Sequence, residues 1–130
     1  MNPELGGMEW LVDAYGCQPY GLRDANVLRD ICQQVVADLG LNIVGQPQWH
    51  TFPGPGGVTG LYLLSESHLA CHTYPETQLA TFNLYCCRRR PAWPWAEKLA
   101  VLLGAQSCRI LQAARGLAAE AVPAQFTEVG

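Results

Sequence analysis

Hydrophobic and polar positions change period several times along this chain, and each change predicts an element. Glu9-Trp10-Leu11-Val12-Asp13-Ala14-Tyr15 reads as a first strand, stopped by Gly16, after a loose tail over residues 1–7. Val27, Leu28, Ile31, Val35 and Leu39 then recur at helical spacing. With Asp24 placed as N-cap and Gly40 as the stop, they predict a helix over 24–39. Strand character resumes over 41–49, beginning at Asn42-Ile43-Val44, with Pro47 marking an edge or a bulge. Phe52-Pro53-Gly54-Pro55-Gly56-Gly57 can only be a loop. Residues 58–64 are nearly all apolar, the pattern of a strand buried on both faces. Leu79-Ala80-Thr81-Phe82-Asn83-Leu84-Tyr85-Cys86 alternates as a further strand. Pro94 opens a second helix lined by Trp95, Leu99, Leu102 and Leu103 and ended by Gly104. Cys108-Arg109-Ile110-Leu111-Gln112 makes a short last strand before an Ala-rich tail.

Many neighbouring strands with only two helices point to an α+β, two-layer sandwich: an antiparallel sheet with both helices on one face. The other face then needs cover, and a second copy of the chain is the natural source. At 130 residues, the chain suits a single domain, 1–130, with a real core.

Composition narrows the partners. Charged residues make up 15% of the chain and the formal net charge is −3, which gives no electrostatic case for nucleic acid or an anionic membrane. No apolar run reaches the ~18 residues of a membrane span, and the N-terminus lacks the basic start and apolar block of an export signal. A cytoplasmic, reducing location is the expectation. The six cysteines (17, 32, 71, 86, 87 and 108) therefore read mostly as small buried hydrophobes, with one or two left for chemistry. The one basic cluster, Arg88-Arg89-Arg90, reads as a solvated turn, with a phosphate or carboxylate contact as the alternative.

The chemistry concentrates in Ser65-Glu66-Ser67-His68-Leu69-Ala70-Cys71-His72-Thr73-Tyr74-Pro75-Glu76. A shared zinc on His68 and His72 would need a helix. In the extended chain that the flanking residues favour, four residues separate the imidazoles by roughly 13 Å, so no metal site is expected. A serine or cysteine hydrolase is not supported either, since Gly-x-Ser-x-Gly and the cysteine signatures are absent. The Gly-rich loop before residue 58 lacks the Lys-Ser/Thr of a phosphate cradle and precedes a strand.

Gly57-Val58-Thr59-Gly60, Ser65-Glu66-Ser67-His68-Leu69, His72-Thr73-Tyr74-Pro75-Glu76 and Cys87 together resemble the prokaryotic S-adenosylmethionine decarboxylase proenzyme family, over about residues 10–116. The resemblance implies self-cleavage between Glu66 and Ser67 into a β chain, 1–66, and an α chain, 67–130. Ser67 would attack the Glu66 carbonyl to form an ester, Thr59 would support the oxyanion, and His72 would take the Cα proton of residue 67. Residue 67 would become a pyruvoyl group, with neither metal nor pyridoxal phosphate. Its ketone would form a Schiff base with the substrate amine and accept the electrons left by carbon dioxide. Cys87 would return the proton. Cys86 and Cys87 point to opposite faces of a strand, so only one can reach the site, and the motif offset favours Cys87.

Glu76 holds the family's acidic position after Pro75, and His68 takes a structural or hydrogen-bonding role. Phe52 and Tyr74 are the candidates for stacking on the adenine ring. The implied function is the supply of an aminopropyl donor for spermidine and other polyamines, by a homodimer of cleaved units with sites near the interface. Thr59 stands where the family has serine, Tyr74 replaces a tryptophan, and the 52–57 loop is longer by one residue. These departures touch substrate recognition, so decarboxylation of ornithine or arginine, or an uncleaved non-catalytic homologue, are the alternatives. Ser67 and His72 would face oppositely along an unbroken strand, so the chain must turn or bulge near the cut.

Overall fold

In the computed structural model, which describes residues 6–116 and 125–129, the chain forms one seven-stranded antiparallel sheet in the order β2-β3-β4-β5-β1-β6-β7. The strands are β1 (Gly7–Tyr15), β2 (Gln48–Thr51), β3 (Val58–Leu64), β4 (Ser67–Tyr74), β5 (Leu79–Cys86), β6 (Ser107–Arg115) and β7 (Gln125–Val129). A four-residue helix α1 (Pro19–Leu22) precedes α2 (Ala25–Asp38), and α3 (Trp95–Leu102) joins β5 to β6. Both long helices lie on one face, α2 over β2 and β3, α3 over β1 and β6. This is the α+β sandwich that the pattern predicts.

Alternation along each strand decides what each face carries. Trp10, Val12 and Ala14 of β1, Leu69 and Cys71 of β4, and Phe82 and Leu84 of β5 are buried in one core with Leu28, Ile31, Val35, Trp95 and Leu99 of the helices. At ~25 cal/mol per Å² of apolar surface removed from water, that shared layer is the main source of stability. Asp24 caps α2 by accepting from Asn26 N–H at 2.9 Å, and Gly40 follows it at φ 64°. Gly60 lies beneath the Trp49 ring, which would collide with any Cβ there, so the edge strand β2 packs close over β3.

The structure corrects four expectations. Residues 58–64 are not buried on both faces: Val58, Tyr62 and Leu64 point into the core, whereas Leu61 and Leu63 are 52% and 60% exposed on the helix-free face. The strand expected over 41–49 shrinks to one bridge, Ile43 with Leu64, and the paired segment starts at Gln48. Pro47 stands just before it, where the missing N–H does no harm. The last strand is not residues 108–112. β6 runs the length of β1, and β7 pairs with β6 where the low-information tail was expected. Gly7 already begins β1 inside the expected N-terminal tail; residues 1–5 of that tail, and 117–124 of the Ala-rich one, lie outside the described residues. No helix among the described residues is long and apolar enough to cross a membrane.

β3 and β4 are joined by a two-residue hairpin turn, Ser65-Glu66, and a buried carboxylate fixes it. Glu66 is only 8% exposed, accepts from Asn42 N–H at 3.0 Å and Asn42 Nδ2 at 2.8 Å, and lies 3.5 Å from the Arg90 guanidinium. Burial pushes this carboxyl up, but the hydrogen bonds from Asn42 and Ser65 outweigh it and hold it below its ordinary value of 4.5. Of the basic triplet, Arg90 thus makes the carboxylate contact, and also donates to the Leu39 carbonyl at 3.1 Å. Arg88 and Arg89 are exposed.

A lowered folded value means stability that is present above pH 4.5 and lost as pH falls through the folded value. In an uncut Ser67→Ala background, Glu66→Gln is therefore expected to lower stability at pH 7 by about 1.5–3 kcal/mol, the range for hydrogen bonds to a charged group. Denaturant titrations should show that gap closing as the pH falls below 4.5. A gap that stays constant with pH would contradict the clamp.

Candidate active site

The hairpin that Glu66 clamps presents a peptide of unusual backbone conformation. Ser67 is one of two non-glycine residues with positive φ among those described, at 143°. This backbone region is sparsely populated for L-residues and costs of order 1–3 kcal/mol. The expected turn is therefore present, and it lies at the predicted cut. The carbonyl of Glu66, the other half of that peptide, accepts the Cys87 N–H at 2.8 Å. The Ser67 hydroxyl lies 3.0 Å from His68 Nδ1, and His68 Nε2 lies 3.0 Å from Asn83 Oδ1. Cys86, paired with Ser67 across the ladder, is buried on the helix side, where desolvation pushes its thiol up to about 11. Cys87, one residue on and past the end of β5, is exposed beside the hairpin. Of the two thiols, Cys87 is the one open to a substrate.

The remaining candidates gather at the far end of β4. Thr59 Oγ1 and His72 Nδ1 are 2.6 Å apart, as expected from their direct pairing across β3 and β4. The ring of His72 meets Tyr74 edge-on at 4.5 Å and Phe52 at 5.7 Å between centroids. Phe52 and Tyr74 are 39% and 38% exposed, so both rings offer a face to a ligand. Glu76 is exposed on the single helical turn Pro75–Thr77 that follows. Between the two ends runs a shallow trough of about 320 Å³, lined by Leu11, Asp13, Ala70, Thr81 and Asn83 and closed at one end by Thr59 and His72.

The candidate residues thus fall into two groups at opposite ends of β4. Glu66, Ser67, His68 and Cys87 stand at the hairpin end; Thr59, His72, Phe52, Tyr74 and Glu76 stand at the other. Five residues of strand span roughly 16 Å, so within one chain His72 does not reach Ser67. Asn42, Arg90, Asn83 and Glu9 were not legible as site residues. Asn42 and Arg90 meet the hairpin at Glu66, whereas Asn83 and Glu9 extend from His68 across β5 and β1; the one sequence signal for any of them was the carboxylate contact open to Arg88-Arg89-Arg90.

The profile of the S-adenosylmethionine decarboxylase family matches residues 8–116. The S-adenosylmethionine decarboxylase proenzyme of Caldanaerobacter subterraneus is 31% identical over 112 residues, covering 85% of this chain and 89% of that one. The proenzyme of Syntrophomonas wolfei is 32% identical over 112 residues, covering 85% and 87%. The crystal structure of the adenosylmethionine decarboxylase from Aquifex aeolicus superposes with a TM-score of 0.73 at 25% identity, covering 92% of this chain and 98% of that one. A match of this extent, on a fold that holds Ser67, His72 and Cys87 on or beside one sheet face, places the chain in the S-adenosylmethionine decarboxylase family.

Proposed function

We propose that this chain is a self-processing, pyruvoyl-dependent carboxy-lyase. It cuts itself into 1–66 and 67–130, decarboxylates S-adenosylmethionine, and thereby supplies an aminopropyl donor for polyamine synthesis. The observation that carries the reading is the strained Glu66–Ser67 peptide at the hairpin, whose carbonyl already accepts the Cys87 N–H.

Processing begins with attack of Ser67 Oγ on the Glu66 carbonyl carbon. The Cys87 N–H is aimed at the oxygen on which negative charge develops, the arrangement that stabilises such a transition state. Breaking the C–N bond frees the turn from its constrained φ, so strain in the precursor assists the amide-to-ester change. The Cα proton of residue 67 must then be removed and the ester oxygen expelled. The base for that step is His72, held at Nδ1 by Thr59.

Since His72 of one chain lies about 16 Å along β4 from its own Ser67, the base comes from a second copy. Leu11, Leu61 and Leu63 expose apolar surface on the helix-free face, which nothing in the described chain covers. A two-fold axis between two such faces and across β4 reverses the strand direction. It sets one copy's Ser67 end against the partner's His72 end, twice over, as a self-complementary interface requires. The residues divided within one chain are then joined across the pair.

A ketone formed at residue 67 supplies an electrophile for the substrate's amine and a sink for the electrons left by carbon dioxide. It would sit on the hairpin held by Glu66 and Arg90. The exposed Cys87 thiol beside it returns the proton to the former α-carbon. Phe52 and Tyr74 present edge and face to a planar ring such as adenine. Glu76 adds negative charge at the same end, suited to a sulfonium cation.

Two experiments test this. A mixture of Ser67→Ala and His72→Ala chains, co-expressed, should yield cut chains carrying the His72→Ala substitution, although neither variant cuts alone. Absence of fragments from the mixture would refute the cross-chain base. Cys87→Ala should still be cut, while carbon dioxide release from labelled S-adenosylmethionine falls ~10²-fold or more, the scale of a lost general acid. Unchanged turnover would remove Cys87 from the role, and release from ornithine or arginine instead would overturn the substrate.

A further inference from the structure

We infer that His68 is the base that activates Ser67 for the first step of processing, and that Asn83, Glu9 and Arg115 position it. The inference rests on the self-processing reading and assigns the ester-forming step to the base that touches Ser67 within its own chain.

His68 faces the helix-free side of β4, with Asn83 diagonally across on β5, Glu9 diagonally on from it on β1, and Arg115 at the end of β6. Diagonal neighbours on one face are within reach of long side chains. Arg115 Nη1 donates to Glu9 Oε1, and Asn83 Nδ2 donates to Glu9 Oε2 at 2.7 Å. A carboxylate only accepts, so the Asn83 amide must turn its NH₂ toward Glu9. That leaves Asn83 Oδ1 facing His68 Nε2 at 3.0 Å, and Oδ1 only accepts. His68 therefore carries its hydrogen on Nε2. Its Nδ1 lone pair is directed at the Ser67 hydroxyl, 3.0 Å away. Arg115 also lies over the Tyr85 ring at 5.5 Å, and that ring in turn flanks His68 at 5.7 Å, so the imidazole is bounded at its side as well.

This tautomer is the one a general base needs, and the distance lies within the range for proton abstraction. The proton of Ser67 Oγ passes to His68 Nδ1 as the oxygen's electron pair forms a bond to the Glu66 carbonyl carbon. When the Glu66–Ser67 C–N bond breaks, the imidazolium returns that proton to the departing nitrogen, which leaves as the free amine of residue 67. Amide and hydroxyl become ester and amine, with no proton gained or lost. His68 forms the ester, and the partner's His72 is left with the elimination.

The two histidines are separated by trapping the ester. A His72→Ala chain should stay uncut until hydroxylamine is added, which cleaves the ester between residues 66 and 67. Adding His68→Gln should slow hydroxylamine cleavage by ~10²-fold or more, the loss expected for a general base. Asn83→Leu should slow it less. Asn83→Asp combined with Glu9→Gln, which rebuilds the same chain with donor and acceptor exchanged, should restore it. Cooperative melting of each variant guards against misfolding, and the Asn83 series stands independently should the His68 variant not fold. Equal hydroxylamine rates with and without His68→Gln, or no restoration by the paired variant, would overturn the assignment while leaving self-cleavage intact. A parent chain that is never cut and yields no hydroxylamine-sensitive bond refutes the self-processing reading, and this inference with it.

Discussion

The hydrogen-bonded burial of one carboxylate is the constraint from which the site follows. Glu66 occupies the second position of a two-residue turn, where a charged side chain would ordinarily project into solvent. Here it is drawn inward to Asn42 and Arg90, and its own carbonyl is tied to Cys87 N–H. With residue 66 held at both side chain and main chain, and β4 paired on both sides from residue 67 onward, the peptide between them absorbs the mismatch. Ser67 takes a φ of 143° as a result. Strain persists only where the surroundings over-determine it, and this hairpin shows which groups do so.

The same sheet geometry that fixes the hairpin divides the chemistry. Alternation puts Ser67's neighbour His68, and His72, on one face, but five residues of strand keep serine and His72 apart. Each end has its own local pairing, Ser67 with His68 and Thr59 with His72, so each is organised before any second copy arrives. In the proposed two-fold pair, a second copy would need to contribute only position. Leu61 and Leu63 are exposed on the same helix-free face, where the proposed pairing would cover them.

Much of this was legible in the sequence, for identifiable reasons. The 24–39 helix declared itself because its apolar period and its caps agree. The strand over 79–86 was bounded correctly because it alternates cleanly between core and open face. Residues 58–64 misled because their outward positions are also apolar, so an exposed face has the pattern of a core. Asn42–Val44 carry strand propensity, but only Ile43 finds a pairing, with Leu64. The local motif pointed to Ser67, His72 and Cys87 as candidates. It could not give Arg90 as the partner of Glu66, nor the path from His68 through Asn83 to Glu9. The Arg90 contact comes from a loop, and the others from strand register between segments as many as 106 positions apart in the chain, as for Glu9 and Arg115.

In the proposed chemistry the Glu66–Ser67 peptide breaks by chain-intrinsic steps and leaves a ketone at residue 67. Intact-mass measurement of the purified protein under denaturing conditions tests it most directly. Two species are expected, 1–66 and 67–130, the second lighter by one ammonia than its encoded sequence and reactive toward a carbonyl reagent. A single full-length mass with Ser67 unaltered would contradict it, as would a 67–130 fragment that still begins with serine.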